Sequence, residues 1–455
     1  MGRELLSKYI SVNPSGIWTR LFTWFVREAV GAVFVFSGFV KAIDPWGTLY
    51  KVNDYLGVLG LDIWPNLVLV GVFMLCGIEF LTGVLICFGC FRRSAAWLSL
   101  AIMLFMLPLS LWIAMDNPVP DCGCFGDALI ISNWATFWKN VALTAGTVWL
   151  SIFNRRISWL VTPALQWIAF VATAVFVTIV SLLGYEYQPL IDFRAYPVGE
   201  LLVEAESDSD AEYTFVYEKD GVRKEFSETD ELPSEDSGWS FVETVEKVPE
   251  TQDNPGKKEN PLKEKSLRLW DKSGENDMTE DALAPDMDRI LILMPNLRGV
   301  SIAQTWKINS LYAWSHKNNI DMIAVVAGSP DDIALWEDRS MPEYQIYTAD
   351  DTAIKSVARG NPAIVFTRKG IVEWKSTLAS IDIDDFMAPG TSANPMSFAH
   401  DNRQMLMNLI LIYVIVMAVL VALSFSTKLW RFLPKRVREK VENDDMAAAK
   451  ESRKD

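Results

Sequence analysis

The chain has 455 residues, half of them apolar, and a formal net charge of −15. Of its 57 acids, 41 lie between Tyr185 and His400, against 21 of its 42 bases, so one soluble segment carries the negative excess. Such a segment repels phosphates and argues against a nucleic-acid partner, and two histidines, His316 and His400, are too few for a His-built metal site or a Ser-His-Asp triad.

The apolar residues gather in runs long enough to cross ~30 Å of hydrocarbon, which takes ~20 residues. Six membrane spans are predicted, over 22–42, 66–88, 94–115, 134–153, 160–184 and 404–426. The first carries charge at its start but lacks a small-residue cleavage site after it, so it reads as a retained span, not a signal peptide. Basic residues flank alternate ends: Arg3, Lys8 and Arg20, then Arg92-Arg93, Arg155-Arg156, and Lys428, Arg431, Lys435, Arg436 and Arg438. Basic loops stay in the cytoplasm. Both termini are therefore expected inside a bacterial inner (cytoplasmic) membrane. The loop at 44–65, the loop at 121–127 and everything from 185 to 403 then face the periplasm. Trp18, Trp64, Trp97, Trp134 and Trp159 fall at predicted interfaces, as aromatic anchors should.

Beyond the fifth span, 185–265 reads as a small β-rich domain and linker. Tyr213–Tyr217 is a predicted strand, Lys219-Asp220-Gly221 a hairpin turn, 223–226 the return, and 239–242 a third strand. From 266 to 400 the pattern alternates. Buried strands are predicted at 289–294 and 321–327, helices at 301–317, 330–338 and 351–359, a strand at 344–347, and a hairpin from 363–367 to 372–375. That is an α/β sandwich with a mixed sheet. The remaining units are a membrane domain at 1–158, a fifth helix at 159–184, a sixth at 401–427 and a charged tail at 428–455.

The chemistry concentrates in Asp121-Cys122-Gly123-Cys124-Phe125-Gly126-Asp127. Two cysteines one glycine apart can close a small, strained ring, and strained disulfides are oxidising. Gly123 and Gly126 permit the backbone angles such a loop needs. Asp121 and Asp127 are expected to raise the thiol pKa values by like-charge repulsion. The spacing suits either a redox pair or a disulfide that only pins the loop. Cys87 and Cys90 have CxxC spacing at the far end of the second span, and Cys76 lies mid-membrane; buried thiols of this kind are more often plain apolar residues. Glu79 sits inside the second span, where a carboxyl is expensive and functional by default. It is placed to bind a quinone carbonyl, relay a proton or pair with Arg27. Arg27 and Glu28 form a polar step in the first span, whereas Lys41 and Lys139 are expected to snorkel to the interface.

Arg27-Glu28, Phe36-Ser37-Gly38, Lys41-Ala42-Ile43-Asp44-Pro45, Gly77-Ile78-Glu79 and Cys122-Gly123-Cys124-Phe125-Gly126 together resemble the DoxX/MauE family of redox-associated membrane proteins. The resemblance covers 21–153 and implies a four-helix membrane bundle, with architecture related to the vitamin K epoxide reductase type. One branch of the family, that of methylamine utilisation, is implicated in maturing a disulfide-rich periplasmic dehydrogenase. Residues 266–375 are similar to the thioredoxin-like superfamily: Asn361-Pro362 followed by Ala363–Phe366 matches the strand that opens on a cis-proline. The position of the active cysteines, 295–301, holds Pro-Asn-Leu-Arg-Gly-Val-Ser, and no cysteine follows Cys124. This domain therefore cannot exchange thiols, but the resemblance leaves it Asn361 and Pro362 as a peptide-binding edge.

The expected fold is an α-helical membrane bundle, a four-helix core plus two further spans, bearing a small β domain and a degenerate thioredoxin-like domain. Two functions compete. In one, Cys122 and Cys124 exchange electrons at the periplasmic face, with a quinone as the possible cofactor and exported proteins as clients. In the other, the chain is a membrane-anchored scaffold whose acidic domain docks periplasmic partners. A transporter is disfavoured, since the spans show no inverted repeat.

Overall fold

The structure, a computed structural model, describes residues 14–119, 122–202, 212–219, 222–227, 240–247, 267–285, 287–384 and 401–432. The linker at 249–265, most of the basic tail, Arg3, Lys8 and Asp121 lie outside these residues.

Among the described residues, six long helices make the helical part: α1 (Pro14–Ile43), α3 (Pro65–Phe88), α4 (Arg92–Asp116), α5 (Asn133–Ile152), α6 (Gln166–Tyr187) and α10 (Asn402–Phe432). Four of them, α3, α4, α6 and α10, are long and apolar enough to cross a membrane. The α1 and α5 helices have 30 and 20 residues but carry more polar side chains, among them Arg27, Glu28, Lys41, Lys139 and Asn140. Large apolar side chains such as Trp24, Leu67, Met74, Phe105 and Val414 point outward, which only a lipid surround makes favourable. This is a membrane protein.

A further helix, α2 (Pro45–Val58), occupies the stretch expected to be a loop. Asp44 caps it, accepting a hydrogen bond from Gly47 N at 2.9 Å, and Pro45 stands at its first turn, where no donor is lost.

The tightest seam joins α1 to α3. Antiparallel register sets Gly31 against Gly83 and Cys87, and Gly38 against Phe80. Small residues bring two membrane helices to backbone contact, where dispersion replaces a hydrophobic drive. The α10 helix packs on α6 through Tyr413, whose ring lies 4.3 Å from that of Phe176 and whose hydroxyl shares a 2.9 Å hydrogen bond with Thr173.

Outside the bundle, β1 (Glu212–Lys219), β2 (Val222–Ser227) and β3 (Ser240–Lys247) form an antiparallel sheet in the order β2-β1-β3. The second sheet runs β6-β5-β4-β7-β8. Its strands are β4 (Arg289–Met294), β5 (Asp321–Val326), β6 (Gln345–Thr348), β7 (Ala363–Arg368) and β8 (Ile371–Thr377). The β4, β5 and β6 strands are parallel, while β7 and β8 run antiparallel as a hairpin. The sequence RILILM of β4 is buried throughout because both faces are covered. Ile290, Ile292 and Met294 share a core with Ile308 and Leu311 of α7 (Thr305–Lys317) and Ile333 of α8 (Pro330–Ser340). Leu291 and Leu293 face Ile354 and Val357 of α9 (Asp351–Val357). The Asn361–Pro362 bond that precedes β7 is cis.

The α1–α3 seam yields a direct test. A Cβ on Gly83 would stand 2.5 Å from Val35 N and 2.9 Å from Gly31 O, whereas one on Gly71 meets nothing within 4 Å. Gly83→Leu is expected to cost about 3 kcal/mol or prevent folding, by overpacking, and Gly71→Leu to be close to neutral. Thermal unfolding in detergent compares the two.

Candidate functional site

The Cys122-Gly123-Cys124 loop follows α4 and is held from below by α1 and from the side by α2. Gly123 and Gly126 take φ angles of 66° and 51°, which a side chain would resist. This turn, closed by Gly126 N donating to Gly123 O at 3.1 Å, folds the two thiols back on each other. Their sulfurs lie 3.1 Å apart.

Two hydroxyls fix the loop backbone. Tyr55 Oη of α2 donates to Cys122 O at 2.9 Å, and Ser37 Oγ of α1 donates to Cys124 O at 2.7 Å. Below Ser37 the polar contacts continue into the bundle. Lys41 Nζ donates to Ser37 Oγ at 2.8 Å and to Glu79 Oε2 at 2.6 Å, with both charged side chains buried. Glu79 thus does not pair with Arg27. Nor does Lys41 snorkel: one helical turn beyond Ser37, it stays inside the seam.

Arg27 lies toward the other end of α1. It donates to Glu28 Oε1 through Nε at 3.0 Å and to Ser158 O at 2.7 Å. Arg27 and Glu28 are therefore parts of a different site. Arg92 and Lys428 also donate to the same turn, on Ile157 O and Trp159 O at 2.7 and 2.8 Å. Cys76, Cys87 and Cys90 are free thiols of the α3 end and seam, and Cys87 packs over Gly31.

The α/β domain reaches the loop through Arg359, just after α9. Its guanidinium is buried between Asp44, at 2.9 Å, and Asp127, the last residue of the cysteine loop. Next to it Tyr50 of α2 hydrogen-bonds both Gly360 N and Gly360 O, at 3.2 and 3.3 Å. Asn361 binds Asn296 O through Nδ2 at 2.7 Å, so its amide is spent on the turn after β4. Lys375 of β8 and Arg194 both hold Asp192, whose carboxyl stays well below its ordinary range against the cost of burial. This trio ties the segment after α6 to the sheet.

These neighbours set the thiols apart. The hydrogen bond from Cys122 is the main reason Cys124 falls from the ordinary thiol range to about 6; burial opposes the shift, and the charges of Lys139 and Lys41 assist it. Cys122, as donor to that thiolate and half-buried, is pushed up. The expected rise from Asp127 does not operate, since Arg359 neutralises it. Lys139 reaches up to the loop as expected, its ammonium 4.1 Å from the centre of the Phe125 ring. The result is one sulfur that favours the thiolate and one that keeps its proton.

Sequence reasoning located Cys122, Cys124 and Glu79 but missed Tyr50, Tyr55 and Arg359, and it gave Lys41 the wrong place. The Asp44-Pro45 cap was the available signal for α2 and its tyrosines. Arg359 carried none, because only the docking of two units makes it a neighbour. Among the described residues no group of three His, Cys, Asp or Glu side chains is arranged to hold a metal.

The fold and site define a helical-bundle membrane protein with a dithiol loop and a mixed-sheet domain docked on it. Residues 19–153, which include the loop, match the family model described as methylamine utilisation protein MauE. Residues 211–250, the three-stranded sheet, match a domain of unknown function (DUF8463). A search of curated proteins finds no match. Among solved structures, the mitochondrial 2-Cys peroxiredoxin from Plasmodium falciparum is similar at 12% identity, over 32% of this chain and 88% of that one, with a TM-score of 0.19, a likeness too slight to carry fold or function.

Two tests follow from this geometry. The thiolate of Cys124 is present above a pKa of about 6 and is lost as pH falls through it. Ultraviolet thiolate absorbance of the reduced protein should show one thiol titrating near pH 6, and Cys122→Ala should move that step upward, because its main cause is gone. Separately, Lys41→Met or Glu79→Leu alone should cost about 3–5 kcal/mol by stranding a buried charge, while the double replacement should recover most of it. Thermal melts of the four proteins measure this coupling.

Proposed function

We propose that the chain is an integral membrane thiol–disulfide exchange protein in which Cys122 and Cys124 oxidise dithiols of exported client proteins. The observation that carries the reading is the 3.1 Å contact of two sulfurs whose pKa values are driven in opposite directions. A low-pKa thiol leaves faster. A client thiolate therefore attacks Cys122 of the oxidised pair, and the Cys122–Cys124 bond breaks with Cys124 departing as thiolate. The client's second thiolate then attacks its own mixed-disulfide sulfur, forming the client disulfide and expelling Cys122. Two electrons pass from client to pair; of the two client protons, Cys122 keeps one and solvent takes the other.

In this reading all six long helices span an inner membrane with both termini in the cytoplasm. Support comes from Arg27, Arg92 and Lys428, which converge on the 157–159 turn at the end of the bundle away from the cysteines. The outer domain is then a thioredoxin-like unit on the periplasmic side, a reading supported by its β6-β5-β4-β7-β8 order and the β7–β8 hairpin after Pro362. Because it has no cysteine, its part is to brace the loop through Arg359.

A scaffold is the second reading. It is favoured by the engagement of Gly360 by Tyr50, which makes the domain a docked partner of the bundle. Differential thiol trapping in native membranes separates the two. Exchange predicts that Cys122 and Cys124 shift together between alkylated and protected forms as reductant is varied, and that Cys122→Ser or Cys124→Ser abolishes client oxidation at unchanged membrane level. Two cysteines that remain alkylatable under every redox condition, with function surviving both replacements, would sink exchange and leave the scaffold.

A further inference from the structure

The large cavity between the bundle and the α/β domain, about 840 Å³, borders Gly123 but neither cysteine. Both cysteines line a small crevice of about 10 Å³, which Thr136 of α5 also lines. Thr136 is only 1% exposed, yet its hydroxyl has no hydrogen-bond partner. Thr147, Thr173, Ser99 and Ser110, buried in the same bundle, spend their hydroxyls on carbonyls of their own helices. Thr82 of α3 does not, but it lines neither space. One turn along α5 from Thr136, the Asn140 amide is 3% exposed and its Nδ2 is also without a partner. Residues four apart share a helix face, so Asn140 is placed to donate to Thr136 Oγ1. Lys139, on the same face, sends its ammonium over Phe125, the residue after Cys124. A buried donor left unpaired is costly, so these two call for an acceptor that arrives at some stage of the protein's cycle.

The exchange step supplies one. In the dithiol, the Cys122 S–H is the main support of the Cys124 thiolate. When a client thiolate attacks Cys122, the Cys122–Cys124 bond breaks and its electron pair stays on Cys124. Cys122 is then bonded to the client sulfur and has no proton to donate. The charged groups facing Cys124 are Lys41 of α1, Glu79 of α3 and Lys139 of α5. Lys41 is engaged by Glu79 and Ser37, and Lys139 is turned to the Phe125 ring. The uncommitted donor in the crevice is the Thr136 hydroxyl.

Resting on that exchange reading, we propose that Thr136, oriented by Asn140, donates its hydroxyl to the Cys124 thiolate released in the mixed disulfide, in the place that the Cys122 S–H holds before and after. No proton changes owner in this step. When the client's second thiolate expels Cys122, that sulfur regains its proton and the Thr136 hydroxyl is released.

The test uses the full chain in lipid nanodiscs. Cys122→Ala removes the S–H as the mixed disulfide does, and the pH dependence of iodoacetamide alkylation, mapped to Cys124 by peptide mass, reads its thiolate. In the Cys122→Ala chain, Thr136→Val should raise the alkylation midpoint by about one pH unit, a tenfold loss of thiolate at fixed pH. Thr136→Ser should restore it, and Asn140→Leu should raise it too but add nothing to Thr136→Val. With Cys122 present the Thr136→Val shift should be smaller. Thr136→Val keeps the side-chain shape and removes an unpaired hydroxyl, so the melting temperature should not fall. In the preoxidised native chain it should slow oxidation of a dithiol peptide about threefold, because a thiol of higher pKa leaves more slowly. A midpoint that Thr136→Val leaves in place, or a native oxidation rate that it does not change, overturns the inference and leaves exchange intact. An Asn140→Leu shift that adds in full to that of Thr136→Val removes Asn140 from the arrangement. A midpoint that moves as expected, in a chain whose native form cannot oxidise the peptide, upholds the Thr136 donor and removes the exchange reading.

Discussion

The buried Lys41–Glu79 pair is the constraint on which the site depends. Two charges taken from water into a bundle seam each lose several kcal/mol of hydration, and mutual attraction at 2.6 Å is what makes the arrangement tolerable. The pair needs α1 and α3 in one register and at one distance. Gly31, Gly38 and Gly83 supply both, because a bulkier residue at any of them would force the helices apart. Once Lys41 is fixed, its remaining donors have a fixed direction. Ser37 accepts one and turns its own proton to the Cys124 carbonyl. The position of the dithiol is thus tied to the packing of α1 on α3.

A second constraint acts from outside. Arg359 takes two carboxylates, one at the cap of α2 and one at the end of the cysteine loop. The loop is therefore gripped at Cys122 by Tyr55, at Cys124 by Ser37 and at Asp127 by Arg359. Three grips on six residues leave little slack, and they hold the two sulfurs side by side. The same guanidinium removes the negative field that Asp127 would otherwise cast on them. Charges adjacent in sequence matter less here than charges adjacent in space.

How much of this was legible follows from the same distinction. The long apolar helices and the strands of the mixed sheet were readable because each is a local pattern, one side chain after another. The α3 span and β4 are plain examples. The α2 helix was readable in principle from Asp44-Pro45, but its amphipathic residues resemble a loop when no cap is sought. The partner of Glu79 required the register of α1 on α3, which no single segment encodes. Gly31, Gly38 and Gly83 do encode it jointly: matching them places Lys41, not Arg27, opposite Glu79, since Arg27 lies 14 residues, ~21 Å of helix, toward the other end. Arg359 depended on docking between two units and had no sequence signature at all.

The absence of cysteine from the outer domain takes on a different meaning beside Tyr50. On the proposed thioredoxin-like reading, the backbone before Pro362 would be the edge for an extended peptide. Here the hydroxyl of Tyr50 already satisfies both Gly360 N and Gly360 O, and Asn361 is turned back onto Asn296. A buried backbone donor and acceptor that have found partners gain nothing from a peptide that offers the same bonds again. The backbone at Gly360 and the Asn361 side chain are thus spent on the bundle and on the turn after β4. What the domain contributes instead is lining: Asp351, Thr352, Lys355 and Ser356 of α9 and Arg359 border the cavity that Gly123 also borders. The unit without cysteines is thus the one that shapes the space beside the dithiol.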